Sequence, residues 1–417
     1  MADQLTGIET SLLARDLPQQ PWHQVGVLVV DGLPDASSLA RLVAQRIAYA
    51  PRFRQKLAGA PLPAWVDDPG FKVEGHVRTH RLAEGEGIES YLESALAAPL
   101  DRIHPLWDLT VLDGLGAGTS AVVVRVHPTL VDGNDNVHLL HELLDEQPAP
   151  IADEVPAWDP PREQPPRFGG LLRNLDDPLR TLGQAAAGIA GLAEGGVRQF
   201  TTEPKPRHVA SVTVPLNEVK QAARRHATTV HDVLLALASA GIAAWLVDNG
   251  RPWQDPVALV PLTVVTEDVS AVGGEVIPQY VQLPVTQPRA AARLADLATL
   301  TQARIDSDAL LPARDLIELA GFPPPTLHSL AARQVSAGRT HDVLIANAPG
   351  PSGPRWLGEH RVRALHAFAS TVDAQNVTVG ITSLDGQVTL AATAVAPLTR
   401  FAHSVGNELG VLNRTAG

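Results

Sequence analysis

The chain has no cysteine. That absence removes disulfides, thiolate zinc sites, iron–sulfur clusters and a cysteine nucleophile, so no thioester can be carried on the protein itself. Charge is also sparse, at 19% of residues, and its basic half is the smaller: 33 Lys and Arg against 45 Asp and Glu, a net charge of −12. A field of that sign excludes nucleic acid as a partner, because phosphate binding needs clustered basic groups. It also opposes generic docking on anionic lipid, while a local basic patch stays compatible with it. Long apolar runs are missing. The longest, Val233 to Val247, falls short of the ~20 residues of a membrane span and reads as a buried helix. Met1 to Leu5 has no basic start followed by an apolar stretch, so no signal peptide is expected and the chain reads as cytoplasmic. There is no Gly-x-Ser-x-Gly elbow, phosphate loop or dinucleotide fingerprint. Gly350-Pro351-Ser352-Gly353-Pro354 has the wrong spacing for a nucleophile and suits a turn.

What is present is a globular composition, 45% hydrophobic over 417 residues, a length that suits two domains. Gln24 to Val30 reads as a strand, and Asp35 caps a helix with Leu39, Leu42, Val43 and Ile47 on one face. Ile88 to Ala98 reads as a helix, and Leu109 to Leu112 and Ala121 to Val126 as strands, the last covered on both faces. Prolines crowd 147–170, which can neither pair into a sheet nor continue a helix; a Leu-, Ala- and Gly-rich helical stretch follows to Gln199. Beyond it come a strand at Ser211 to Val214, a helix capped by Asn217, a long apolar helix from Thr229 to Leu246, and strands at Val257 to Val265, Tyr280 to Val285 and Asp342 to Ala346. A hairpin turns at Leu384-Asp385-Gly386, and Leu398 to Leu412 closes the chain as a helix. The expected organisation is an N-terminal domain at 1–146, a linker and connecting helix at 147–200, and a C-terminal domain at 201–417, each built of α/β or α+β layers.

The most informative segment is Val124-Arg125-Val126-His127-Pro128-Thr129-Leu130-Val131-Asp132-Gly133. A strand ends at His127, the chain turns, and Asp132 and Gly133 precede a helix beginning near Asn134. Asp132 can hold the turn by bonding loop amides, and Gly133 suits positive φ or close approach. This segment resembles the His-His-x-x-x-Asp-Gly motif of the wax ester synthase/diacylglycerol acyltransferase family, related to chloramphenicol acetyltransferases and condensation domains. Pro99-Leu100-Asp101-Arg102 with Pro105-Leu106-Trp107-Asp108, Pro21-Trp22-His23, Thr229-Val230-His231-Asp232-Val233, Asn347-Ala348-Pro349-Gly350-Pro351 and the hairpin Val377 to Ala392 resemble other family stretches, in family order.

The resemblance implies two chloramphenicol-acetyltransferase-like domains with a channel between them. It implies transfer of a fatty acyl group from acyl-CoA to a long-chain alcohol or diacylglycerol, with acyl-CoA as substrate and no cofactor. An alcohol is a poor nucleophile until a base takes its proton, and in the family the second histidine of the motif does so. The thioester is already activated, so a base, positioning and oxyanion donors suffice. Lipid substrates imply peripheral contact with a membrane's inner face or a lipid droplet.

Three positions depart from the pattern: Pro128 replaces the second histidine, His231-Asp232 replaces Asn-Asp, and Gly273-Gly274 replaces Gly-Asn. Proline accepts no proton. His127 precedes it on a strand, where neighbours point to opposite faces, so a core role is the plainer reading for it. His231 is the other candidate base; its plainer reading is the start of a buried helix. The candidate catalytic residues are therefore His127, Asp132 and His231, and the candidate substrate contacts Gly133, Trp107 and Asn347. Trp107 also reads as a packing residue and Asn347 as a turn residue. His138, His141 and Glu142 share a helix face but lack a fourth metal ligand, so no metal is expected. Two other readings stay open: a member that binds acyl or lipid ligands, or a partner subunit, without transfer, and a specialised acyltransferase with another acceptor.

Overall fold

The computed structural model describes residues 3–5, 9–10, 12–13, 16–59, 63–130, 139–158, 206–252, 254–264, 275–307, 341–371 and 377–415. In chain order the strands are β1 (Asp3–Gln4), β2 (Gln24–Asp31), β3 (Gln55–Ala58), β4 (Ala64–Asp67), β5 (Val77–Arg81), β6 (Trp107–Asp113), β7 (Thr119–Val126), β8 (His208–Pro215), β9 (Val257–Val264), β10 (Glu275–Gln282), β11 (Val343–Ala348), β12 (Arg355–Leu357), β13 (His360–Ala369), β14 (Val377–Leu384) and β15 (Gln387–Ala394). The helices are α1 (Ala36–Arg46), α2 (Ile88–Ala97), α3 (Leu139–Glu142), α4 (Leu216–Arg225), α5 (Val230–Asp248), α6 (Ala290–Ser307) and α7 (Phe401–Arg414).

Two six-stranded mixed sheets carry the fold, in the orders β12-β13-β2-β7-β6-β5 and β10-β9-β11-β14-β15-β8. In the first, alternation along β7 divides the valines as the pleat requires. Val122, Val124 and Val126 join one core with Leu39, Leu42, Val43 and Ile47 of α1. Ala121 and Val123 face the other way, against Leu92 and Leu96 of α2 and against Val209 and Ala391 of the second sheet. β7 is thus covered on both faces, and the second of these cores is the contact between the sheets.

The second sheet is backed by α4, α5, α6 and α7. α5 is apolar on every side because it lies between the sheet and its neighbouring helices, and nearly all of it is buried. It is the one helix among the described residues long and apolar enough to cross a membrane, but it serves as a core helix. Gly241 lets Phe401 of α7 approach, since a Cβ there would lie 2.5 Å from the ring.

The halves of the sequence do not each form their own sheet, so the division at 201 is corrected. β12 and β13 lie in the second half, yet β13 pairs antiparallel with β2, from Val362↔Val30 to Ala369↔Gln24. β13 also meets β14 through alternate residues. The hydroxyls of Thr378 and Thr382 donate to the carbonyls of Ala369 and Leu365, both at 2.7 Å. Between them Gly380 has no side chain; a Cβ there would stand 2.2 Å from the Ala367 oxygen. This seam joins the two sheets.

Two further expectations are corrected. Asn217 does not cap α4: the cap is Pro215, and Asn217 lies inside the first turn. β10 begins at Glu275, ahead of the expected Tyr280. At the hairpin, Asp385 and Gly386 both have positive φ, as a tight two-residue turn between twisted strands demands. Asp132, Gly133, the helix from Asn134, residues 159–205 and Gly273-Gly274 lie outside the described residues.

Candidate active site

β7 delivers His127 to the end of the first sheet, where its N–H donates to the Leu106 carbonyl at 2.9 Å. Pro128 opens a 3₁₀ turn to Leu130. The backbone N–H of Thr129 donates to His127 Nδ1 at 3.2 Å, and its hydroxyl lies 2.7 Å from the same nitrogen. An N–H aimed at Nδ1 places the proton of the neutral ring on Nε2, which faces Asp16 Oδ2 at 3.7 Å. Asp16 also accepts from the Trp22 N–H at 2.7 Å and from Arg102 Nη2 at 2.9 Å. The ring is buried, one nitrogen engaged by Thr129 and the other turned to a carboxylate. This geometry leaves no lone pair for a substrate proton, so the catalytic assignment of His127 is corrected to a structural one. It also accounts for two stretches read in the sequence: Pro21-Trp22-His23 and the Asp101-Arg102 segment both brace Asp16.

His23 is buried beside this cluster, its Nε2 3.0 Å from the Ala95 carbonyl. Burial and then the Arg125 charge push it down to about 4. Arg125 is paired with Asp108 and donates to the carbonyls of Ala95 and Ala98 at the end of α2, satisfying groups the helix leaves open.

Trp107 belongs to the core, not to a ligand surface. Its Nε1 donates to the Phe53 carbonyl at 2.8 Å and its ring stacks on His76 at 4.5 Å between centroids. It is 1% exposed, which corrects its assignment as a substrate contact.

His231 and Asn347 are brought together from 116 residues apart, with His231 Nδ1 3.3 Å from the Asn347 amide nitrogen. Alternation explains the meeting. Val343 and Ile345 of β11 face the helix-side core, so Asn347 faces it too, where α5 begins. His231 Nε2 is shielded from solvent and has no hydrogen-bond partner among the described residues. Burial lowers the His231 pKa, more than the Asp232 charge raises it, so the ring is neutral near pH 7. Asp232 does not orient it. Its carboxylate accepts from the Thr229 N–H and hydroxyl, the Thr228 hydroxyl and the Thr301 hydroxyl, at 2.6–3.1 Å, closing a capping box. Burial alone would raise the Asp232 pKa, but these hydrogen bonds hold it below the usual carboxylate range.

His127 and the His231–Asn347 pair form separate clusters: His127 is engaged by Thr129 and faces Asp16, and His231 is engaged by Asn347. Among the described residues no group of His, Asp and Glu is arranged to hold a metal. Sequence reasoning missed Asp16 and Arg207, since neither lies in a motif with its partners.

Comparison with known proteins agrees with this architecture. The catalytic-domain profile of the wax ester synthase/diacylglycerol acyltransferase family matches residues 5–232, and the family's C-terminal domain matches 278–409. A provisionally named diacylglycerol O-acyltransferase of Mycobacterium tuberculosis is 24% identical, over 93% of this chain and 84% of its own. The solved wax ester synthase/diacylglycerol acyltransferase from Marinobacter aquaeolei VT8 superposes with a TM-score of 0.70 at 21% identity, covering 99% of this chain and 100% of that one. The first condensation domain of the CDA synthetase shares the fold at a TM-score of 0.56 and 16% identity, over 100% and 97% of the chains.

Proposed function

Because this chain belongs to the wax ester synthase/diacylglycerol acyltransferase family, we propose that it moves a fatty acyl group from acyl-CoA to the hydroxyl of a long-chain alcohol or diacylglycerol, with His231 as the base. The observation that carries the assignment is the His231–Asn347 pair: a neutral imidazole held at Nδ1, with Nε2 claimed by no described residue. An amide has a donor at one end and an acceptor at the other, so a half-turn of Asn347 selects the imidazole tautomer. With Asn347 Oδ1 accepting from Nδ1–H, the Nε2 lone pair is free to take the hydroxyl proton. The alkoxide oxygen then adds to the thioester carbonyl, the C–S bond breaks, and the proton passes from His231 to the leaving CoA thiolate. The transfer proposed is a single direct step, and without cysteine no cysteinyl thioester stands between donor and acceptor. The acceptors are lipids, so the reading includes peripheral contact of a cytoplasmic protein with a membrane's inner face.

A second reading keeps acyl or lipid binding without transfer. Pro128 has no proton acceptor, His127 is locked by Thr129 and Asp16, and His231 lies in another cluster; these three observations favour it. CoA release from palmitoyl-CoA, followed with a thiol reagent with and without hexadecanol or dipalmitoylglycerol, separates the two. Acceptor-dependent release is expected, and His231→Ala lowers it about 10²–10⁴-fold. Tight acyl-CoA binding with no release establishes the second reading, and release untouched by His231→Ala removes His231 from the mechanism.

A further inference from the structure

Arg207, just ahead of β8, is 3% exposed, yet only one of its guanidinium nitrogens has a partner among the described residues. Nη2 donates to the Thr371 carbonyl at 3.1 Å. Nε and Nη1 have no hydrogen-bond partner among the described residues, and no described carboxylate forms an ion pair with the group. The Thr371 hydroxyl beside it, in a residue 1% exposed, likewise has no partner among the described residues. Burial pulls Arg207 down to about 10, which leaves it a cation at neutral pH. An uncompensated cation out of water costs several kcal/mol, far more than a structural contact to one carbonyl returns.

The place matters as much as the charge. Ala369, Gln24 and Val126 are register partners across β13, β2 and β7, so the end of β13 lies two strand spacings, about 10 Å, from the residue before His127. The Ser370 hydroxyl donates to the His23 carbonyl at 2.9 Å, and Gln20 reaches the Thr371 carbonyl at 3.4 Å. Arg207 therefore stands at the end of the first sheet where the motif strand finishes, between the two sheets. In a chain of net charge −12 an anionic ligand is repelled overall and needs a local cation to be held.

We propose that Arg207 and the Thr371 hydroxyl form a binding site for a phosphate group, and that the phosphate is one carried by the CoA of the acyl donor. This rests on the reading of the donor as acyl-CoA. Guanidinium and hydroxyl supply donors only to a phosphate oxygen, and in a site closed to water such a charge-assisted contact is strong. The site would fix the donor through a part remote from the reacting carbonyl.

The test is calorimetric titration of the full chain with CoA, dephospho-CoA, pantetheine and inorganic pyrophosphate, on wild type, Arg207→Gln, Arg207→Lys and Thr371→Val. CoA affinity is expected to fall about tenfold to a hundredfold in Arg207→Gln and less in Arg207→Lys, while pantetheine binding is unchanged. Equal CoA affinity in wild type and Arg207→Gln overturns the proposal. Arg207-dependent binding of pyrophosphate without CoA binding overturns the donor assignment and leaves a free-phosphate site. Wild type alone gives a second measurement: CoA must raise its melting temperature more than pantetheine does, and equal protection overturns the proposal even if the variants fail to fold. Transfer activity is a separate readout. CoA binding through Arg207 with no transfer sinks only the enzymatic reading, and transfer with an unchanged acyl-CoA KM in Arg207→Gln sinks only this site.

Discussion

Asp232 accepts four hydrogen bonds, and none comes from the histidine before it. Read as neighbours, His231 and Asp232 suggest a base with its carboxylate; read at a spacing of three, Thr229 and Asp232 are a helix capping box. The second reading was available in the sequence and is the one the structure takes. Asn347 as the partner of His231 was not available, because it depends on the register of β11 against α5. His23 shows how burial acts on a single residue. Its pKa of about 4 lies below the 6.5 of an exposed histidine. Between these values the unfolded chain binds a proton that the folded chain refuses. The stability this group contributes is thus complete above pH 6.5 and lost as pH falls towards 4, by about 3 kcal/mol at the lower end. Urea unfolding at pH 7 and pH 5 is expected to show the loss, and His23→Gln, which keeps a donor for Ala95, to show a smaller one. An equal pH slope in both proteins would assign the acid sensitivity elsewhere.

At the scale of elements, the strands that were legible are those with an uninterrupted apolar face. β2, β7, β14 and β15 announce themselves by valine and alternation, and α1 by Asp35, which accepts from the Ser38 N–H at 2.8 Å. β13 did not, because His360, Arg361, Arg363 and His366 dilute its pattern. Their partners lie far off in sequence: Arg363 pairs with Asp31, and Arg361 with Asp385. Within β14 one residue was not explained by the strand pattern: Gly380, between Thr378 and Thr382, makes sense only once the β13 backbone is laid across it. Gly380→Ala would drive a Cβ into the Ala367 carbonyl. We expect it to destabilise the protein by about 1–3 kcal/mol, read as a lower urea midpoint. An unchanged midpoint would mean that the seam slides apart without cost.

For the whole molecule, the family and the two-layered architecture were legible from ordered motifs, and the division into halves was not. A proline-crowded segment marks where the chain is extended, which says nothing about which strands meet afterwards. The core of the first sheet includes Leu357, Val362, Leu365 and Leu384. Residues 1–158 expressed alone are therefore expected to be insoluble, and co-expression of 206–417 to restore solubility. A soluble, folded 1–158 fragment would show that β13 merely decorates the first sheet. Assembly across this distance closes a loop of more than 300 residues between β2 and β13.

That exchange of a strand has a consequence during synthesis. When β7 leaves the ribosome, β2 has one neighbour and one open edge, a row of unpaired N–H and C=O groups that invites any passing strand. The proper occupant, β13, begins only at His360. At about 5–20 residues per second the edge stays bare for on the order of tens of seconds. The nascent chain thus passes through a long window in which its own sheet is a template for the wrong partner, and its yield in a cell depends on what shields that edge until β13 arrives.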